Sequence, residues 1–281
     1  MEDAWTTRLA EMSEFKIYNM DHNIGAVILY TTNDDYYLKL CVNNLLESGI
    51  KTIAIVSYTH MWNGTPENQE LIQQVIDTYK NDSRINFVQL KWQGAKDPFY
   101  YENLGREVGS VLVEPACEYI LYVDVDEIVE PVKFKSWLSS FNYRKYKGIY
   151  LKQHVYFKEA IYRVASSPQT IPVLFKSSCV YEKRKGNARR RYMNYDSKLS
   201  RWLTKAGLHP RYHIQDDGSC FIHHYAWVRT KEQLVKKTEN WGHRDDRVDW
   251  KKKINDLFET DDMGDGYITV DNIFNIDINY K

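Results

Sequence analysis

Along the first half of the chain, short apolar segments alternate with segments in which apolar residues recur at helical spacing. Residues 25–30, 52–57 and 85–90 are apolar and rich in β-forming side chains. Between them, residues 37–46 and 68–79 repeat apolar positions every three or four residues, which is typical of helices. Strand–helix–strand units pack with a right-handed crossover that makes their strands parallel. The alternation therefore predicts an α/β fold with a mostly parallel central sheet flanked by helices.

A further apolar strand, residues 119–123, ends in the acidic sequence Asp124-Val-Asp-Glu127. Ligands of α/β proteins bind at the carboxyl ends of such strands. Side chains two residues apart on an extended strand project to the same face, so Asp124 and Asp126 are expected to converge. Converging carboxylates repel unless a cation or a shared proton lies between them, and oxygen ligands suit Mg²⁺ or Mn²⁺. We therefore expect a metal-assisted reaction here. The alternative interpretation is an acidic loop that follows a buried strand.

Composition and termini exclude several classes of partner. Lys plus Arg equals Asp plus Glu at 38 each, so the net charge of zero gives no reason to expect nucleic acid as a partner. No apolar run approaches the roughly 18 residues that span a bilayer, and no secretion signal is recognised. Four cysteines stand far apart in sequence, Cys41, Cys117, Cys179 and Cys220. Free thiols in a reducing compartment are the simplest interpretation, so we expect a soluble, cytoplasmic protein without a transmembrane segment.

Beyond the acidic motif, predicted strands and helices no longer alternate regularly. Residues 103–113 predict the helix that leads into the acidic strand, and residues 137–141 a short helix after it. Residues 148–157 and 171–175 predict further strands. A last helix is predicted for residues 230–241, where apolar side chains form one stripe.

The order of these parts resembles glycosyltransferases of the GT-A fold, in particular the family 2-like group. Three features carry the resemblance: the strand and turn Ile28-Leu-Tyr-Thr-Thr-Asn-Asp34, the helix opening Asn103-Leu-Gly-Arg106, and the Asp124-Val-Asp-Glu127 motif. A fourth, Ile222-His-His-Tyr-Ala-Trp-Val-Arg229, is similar to the segment that supplies such enzymes with a histidine for the metal or the diphosphate. The resemblance covers roughly residues 25–242 and implies a Rossmann-like nucleotide-sugar-binding fold with a small mixed acceptor region and C-terminal helices.

The resemblance also implies a division of the chain. Residues 1–20 form an N-terminal extension, and residues 21–229 form the GT-A catalytic domain. Within that domain, residues 21–131 are the nucleotide-binding half and residues 132–229 the acceptor half. Residues 230–281 are expected to form a C-terminal helical extension.

The implied activity is transfer of a sugar from a nucleotide-diphosphate donor to a glycan or other hydroxyl acceptor, with Mn²⁺ or Mg²⁺ stabilising the departing diphosphate. A UDP-sugar is favoured and a GDP-sugar is second. The resemblance places the metal on Asp126, Asp124 and His224, with His223 as the second choice of histidine, and gives Glu127 a supporting role. Donor-binding residues are expected to be Thr31, Asn33, Asp34, Asn103, Arg106, Asp124 and Val125.

An inverting displacement also needs a base that takes the proton of the acceptor hydroxyl. Asp217 is the first candidate and Asp216 the second, although the glycine that follows them is equally typical of a turn. If no carboxylate reaches the acceptor, a retaining mechanism is favoured. Aromatic side chains suit the C–H faces of sugars, and the acceptor-binding candidates are Trp202, Tyr225 and Trp227.

Two other functions fit parts of the pattern. A haloacid-dehalogenase-type phosphatase also carries DxD after an apolar strand, with Asp124 as nucleophile and Asp126 as acid/base. That motif usually follows the first strand, whereas about 120 residues precede it here. A non-catalytic carbohydrate-binding protein would explain the aromatic content of 14% without requiring Asp126.

Overall fold

A mixed β-sheet forms the centre of the computed structural model, which describes residues 22–94, 98–166, 168–179, 203, 206, 208–215, 218–240, 249–259 and 265–277. One half of the sheet contains four strands, β1 (Ile24–Leu29), β2 (Thr52–Tyr58), β3 (Ile85–Leu90) and β4 (Tyr119–Asp124). Their spatial order is β3-β2-β1-β4 and each neighbouring pair is parallel. The predicted α/β architecture is confirmed, and the strand that ends in the acidic motif lies directly beside β1.

Helices connect these parallel strands and cover the faces of the sheet. They are α1 (Asp35–Glu47), α2 (Gln69–Tyr79) and α3 (Pro98–Val113). The side chain of Asn68 accepts the backbone N–H groups of Glu70 and Leu71 at 3.0 and 3.3 Å, which caps the first turn of α2. After α1, Gly49 adopts a φ of +84°, the left-handed conformation that commonly ends a helix.

The helix α3 begins at Pro98, more than one turn before the start at residue 103 that the sequence predicts. Proline suits the first turn of a helix, where its missing N–H would have no helical partner. Farther along, α3 packs very closely on the sheet. A Cβ atom at Gly109 would lie 2.4 Å from Cγ1 of Val27 and 3.1 Å from Cγ2 of Val56. This contact fixes the distance between α3 and the strands β1 and β2.

The other half of the sheet is mostly antiparallel and surrounds the turn after β4. Its elements are β5 (Glu127–Val129), α4 (Pro131–Ser140), β6 (Gly148–Phe157), β7 (Glu159–Val164), β8 (Gln169–Lys176), β9 (Tyr212–Ile214) and β10 (Ile222–Trp227). β8 is antiparallel to β4, and β6 is antiparallel to β8. β10 lies between β6 and β5, and its register sets His224 opposite Glu127. This pairing brings the two histidines to the acidic turn.

The C-terminal part of the chain contributes two helices and a strand, α5 (Lys231–Glu239), α6 (Trp250–Glu259) and β11 (Tyr267–Thr269). β11 pairs antiparallel with β7, so this part of the chain is not purely helical and joins the main sheet. The division into domains stays a prediction. Across the ranges that the structure describes, no helix combines the length and the apolar character needed to cross a membrane.

We expect Gly109→Ala to destabilise the protein by about 1–2 kcal/mol, because the new methyl group overlaps the stiff, buried side chain of Val27 and overpacking outweighs the helix-forming advantage of alanine. Urea unfolding measures the difference. Gly266→Ala is the matched control, since a Cβ there meets no atom within 4 Å. Equal stability of the two variants would contradict the close packing of α3.

Candidate functional site

A cleft opens at the carboxyl ends of β1 and β4, with an empty volume of about 800 Å³. β2 and β4 lie on opposite sides of β1, so the chain order of the strands reverses at this point, which is where open α/β sheets bind ligands. Residues predicted for donor, metal or acceptor binding that line the cleft are Thr31, Asp34, Asp124, Val125, Asp126, His224 and Trp227.

The carboxylate of Glu127 shapes the turn that presents the two aspartates. Glu127 is fully buried, and its Oε2 accepts the backbone N–H of Asp124 at 2.9 Å. This bond closes the turn directly after β4, while β5 continues from Glu127 into its pairing with β10. Asp124 and Asp126 are thereby held at the cleft, and Glu127 has a structural part in holding them.

Asp124 is oriented by a buried arginine of α3. Arg106 is 2% exposed and bonds through NH2 to Oδ1 of Asp124 and through NH1 to Oε2 of Glu102, both at 3.2 Å. The sequence suggests that Arg106 contacts the donor itself. The structure places it behind Asp124 instead, because its guanidinium lies beneath the cleft surface and is directed at the two carboxylates. Arg106 therefore fixes the direction of the Asp124 side chain.

Two other donor-binding candidates lie away from the cleft wall. The amide Nδ2 of Asn33 donates to Sδ of Met61 at 3.3 Å, and its backbone oxygen accepts from Arg229. Asn103 is on α3, one turn before Arg106, and is not among the lining residues that the structure describes. Neither residue is among the described residues that line the cleft, and their contacts with the donor stay a prediction.

Two carboxylates and two cationic side chains form an ion-pair cluster at the edge of the cleft. NH2 of Arg229 lies 2.6 Å from Oδ1 of Asp34 and 3.1 Å from Oδ2 of Asp126. Nζ of Lys237 lies 3.0 Å from the same oxygen of Asp34 and 2.7 Å from the same oxygen of Asp126. We call these four side chains the charge cluster. Asp34 follows β1, Asp126 follows β4, and the cations come from the end of β10 and from α5.

Pairing compensates for the burial of these charges. Burial opposes the ionisation of Asp126, but Lys237, His224 and Arg229 outweigh it and hold the pKa of its carboxyl well below the usual range. Burial likewise opposes the charge of Arg229, and the carboxylates of Asp34 and Asp126 outweigh it and raise its pKa. Asp126 and Arg229 are therefore held in their charged forms, each by oppositely charged neighbours in the cluster.

Arg229 is the more firmly held of the two cations. It is 1% exposed, its Nε donates to the backbone oxygen of Ala226 at 3.1 Å, and its guanidinium carbon lies 5.0 Å from the ring centre of Tyr37. Lys237 is a wall residue of the cleft and keeps 18% of its side chain exposed. Arg229 therefore belongs to the scaffold, whereas Lys237 can meet a bound molecule.

The neighbouring histidines face opposite ways, as alternation along β10 requires. Nε2 of His224 lies 3.4 Å from Oδ1 of Asp126, at the cleft. Its Nδ1 is 3.3 Å from the amide Nε2 of Gln153, and in this amide orientation the ring carries its proton on the nitrogen that faces Asp126. His223 points into the core, where Nδ1 is 2.7 Å from the hydroxyl of Tyr156 and burial lowers the pKa of the ring.

Asp124 and Asp126 are the carboxylates expected to hold Mn²⁺ or Mg²⁺. Such ions need carboxylate oxygens that are not committed to other cations, yet Lys237 and Arg229 both bond Oδ2 of Asp126 and Arg106 bonds Oδ1 of Asp124. Within the part of the chain that the structure describes, no three His, Cys, Asp or Glu side chains group as ligands. One oxygen of each aspartate is thus paired with side-chain cations, and these two oxygens do not fit a divalent ion.

The acceptor-binding candidates divide into three cases. Trp227 lines the cleft, with its ring centre 5.6 Å from that of Phe157. Tyr225 is fully buried and stacks on Tyr156 at 4.6 Å, so its ring faces the core, which differs from the expectation that it contacts a sugar. The third acceptor-binding candidate, Trp202, lies outside the described residues, as do the two candidates for the base, Asp217 and Asp216.

Lys237 and Trp62 line the cleft but are not among the site residues predicted from the sequence. Lys237 lies on the same side of α5 as the buried residues Leu234 and Thr238. A lysine at a position that faces the core is the feature of the sequence that could have identified it. Trp62, in the segment after β2, also lines the cleft. A lone tryptophan in a polar loop carries no local signal of this kind.

Comparisons with known proteins yield structural likeness only. No family model matches the sequence, and no curated protein matches it. The crystal structure of S. aureus TarS 1–349 superposes over 84% of this chain and 69% of its own, with a TM-score of 0.45 and 14% identity. The mannosyltransferase PcManGT from Pyrobaculum calidifontis, in complex with GDP-Man and Mn²⁺, covers 77% of this chain and 60% of its own, with a TM-score of 0.42 and 9% identity. These values carry no argument about activity.

Removing Arg229 should destabilise the fold strongly, because Asp34 and Asp126 lose a buried partner. We expect Arg229→Met to cost about 3–5 kcal/mol in urea unfolding. Arg229→Lys should recover part of the loss, since an ammonium restores the charge without the guanidinium fork. Arg84→Met removes an exposed ion pair with Asp82 and serves as the control, with little change expected. An equally small loss for Arg229→Met would show that the charge cluster does not stabilise the fold.

Proposed function

We propose that this protein is a glycosyltransferase that moves a sugar from a nucleotide-diphosphate donor to a hydroxyl acceptor. The observation that carries the proposal is the position of the acidic turn. It lies at the β1/β4 switch point, inside the cleft, and faces a lysine ammonium. Ligand recognition at this point of an α/β sheet, combined with positive charge for a leaving diphosphate, suits nucleotide-sugar chemistry.

The donor is placed along the cleft by the chemistry of its walls. The nucleobase and ribose are assigned to the side formed by Thr31 and Trp62, because an indole face suits an aromatic base. The diphosphate is assigned to the end where Lys237 lies. A UDP-sugar remains the favoured donor and a GDP-sugar the second. The requirement for Mn²⁺ or Mg²⁺ stays a prediction, which the ion pairs at Asp126 do not support.

In the transfer step, the bond between the anomeric carbon and the diphosphate oxygen breaks, and that oxygen keeps the electron pair. The acceptor hydroxyl oxygen forms the new bond to the same carbon and passes its proton to a base. Asp217, with Asp216 as second choice, stays the proposed base for an inverting reaction. Trp227 is the proposed platform for the acceptor, a glycan or other hydroxyl compound, because its ring borders the cleft.

A phosphatase of the haloacid dehalogenase type is the weaker candidate. It would need Asp126 to give a proton to the leaving group. The pKa of Asp126 is held well below its usual range, so the carboxyl carries no proton near neutral pH. It would also need Asp124 as nucleophile, whereas Arg106 holds one oxygen of that carboxylate. A sugar-binding protein without activity would need neither group.

The proposal is tested by incubating the protein with UDP- and GDP-sugars and simple glycan acceptors. We expect release of the nucleoside diphosphate together with a glycosylated acceptor. Asp124→Asn and Asp126→Asn should each lower this turnover about 100-fold or more, because both support the site where the leaving charge develops. Asp77→Asn, on the exposed face of α2, should leave it unchanged.

Different products would point to different functions. Release of inorganic phosphate without sugar transfer would favour the phosphatase. Saturable sugar binding with no turnover, unaffected by Asp126→Asn, would favour a binding protein. Circular dichroism of each variant establishes that a lost activity is not a lost fold.

A further inference from the structure

The ammonium of Lys237 lies where two strand ends meet. Its Nζ bridges Oδ1 of Asp34, at the end of β1, and Oδ2 of Asp126, at the end of β4. A divalent ion bound to Oδ2 of Asp126 would compete with Lys237 for the same oxygen. A positive group that belongs to the chain therefore already occupies one side of the position expected for Mn²⁺ or Mg²⁺.

The charges of the cluster favour this arrangement over an added ion. Two carboxylates face one guanidinium and one ammonium, so the negative charge that would attract a metal is already balanced. A divalent ion at Oδ2 of Asp126 would meet Lys237 at contact distance and repel it. Arg229 cannot move aside, because Ala226 and Tyr37 hold it in the core. Binding of the ion would thus require displacement of Lys237.

Lys237 also has the means to contact a ligand. An ammonium carries three N–H donors, and the two carboxylates accept two of them. The side chain lines the cleft and keeps part of its surface exposed. The remaining donor is available to a phosphate oxygen, and a lysine is a common point charge for such oxygens.

We propose that Lys237 takes the role of the divalent ion in this chain. It neutralises Asp126 and donates to the donor diphosphate while the sugar leaves. No proton leaves the ammonium, since the electron pair of the breaking C–O bond stays on the diphosphate oxygen and the acceptor proton goes to the base. The proposal rests on the proposed glycosyl transfer and specifies how the leaving charge is stabilised.

The first test measures turnover with and without EDTA, and we expect the wild-type protein to transfer sugar equally well in both. Lys237→Ala should lower turnover about 100-fold, as removal of one preorganised charge donor does. Lys236→Ala is the matched control, because the neighbouring lysine on α5 is exposed and the charge change is the same. Complete loss of wild-type turnover in EDTA, restored by Mn²⁺, would overturn the proposal.

The second test does not depend on activity. Electron paramagnetic resonance counts the Mn²⁺ bound in the presence of UDP. We expect no stoichiometric ion on the wild-type or Lys236→Ala proteins, and one on Lys237→Ala, where Oδ2 of Asp126 becomes accessible to an ion. One ion on the wild-type protein would overturn the proposal even if no nucleotide sugar is turned over. If Lys237→Ala fails to fold, the wild-type measurements in both tests still decide whether the proposal stands.

Discussion

The ion pairs of the charge cluster join four parts of the chain that are distant in sequence. Asp34 follows the first strand, Asp126 the fourth, Arg229 the tenth, and Lys237 is on the helix after that. Charges removed from water are costly unless each has a partner. The cluster therefore requires that β1, β4, β10 and α5 meet in one arrangement, and the shape of the cleft depends on that meeting.

The two aspartates of the acidic motif have different partners, so their roles in the site differ. Asp124 is directed by Arg106, which the close packing of α3 on β1 carries to the end of β4. Asp126 belongs to the charge cluster and is almost entirely buried. A pair of carboxylates that could have shared one metal ion is instead divided between two sets of side-chain cations. Glu127 holds the turn that keeps them apart.

The parallel half of the fold could be predicted because its signals are local. Residues 85–90 form β3 as expected, since a short run rich in β-forming residues and bounded by polar residues is sufficient to identify a strand. The three-residue strand β5 could not be predicted, because it exists through its pairing with β10, almost a hundred residues later. The start of α3 was also misplaced, although Pro98 marks it.

The candidate site was predicted in part for the same reason. Asp124 and Asp126 stand at the end of a recognisable strand, and His224 stands in a motif that the sequence displays. Lys237 contacts Asp126 because α5 folds back over the strand ends. This contact depends on tertiary structure, which local sequence patterns do not predict. Arg229 was visible at the end of the histidine motif, but its burial against Tyr37 was not. The positions of the two cationic side chains in the site were therefore identified from the structure.

A crystal structure of the protein with a UDP-sugar bound in EDTA would show whether Lys237 contacts the diphosphate. We expect the nucleobase beside Trp62, a diphosphate oxygen within about 3 Å of Nζ of Lys237, and Asp126 still paired with Arg229. A nucleotide bound away from the ends of β1 and β4 would contradict the proposed function. A diphosphate at the same place but out of reach of Lys237 would leave the function standing and contradict the role given to the lysine.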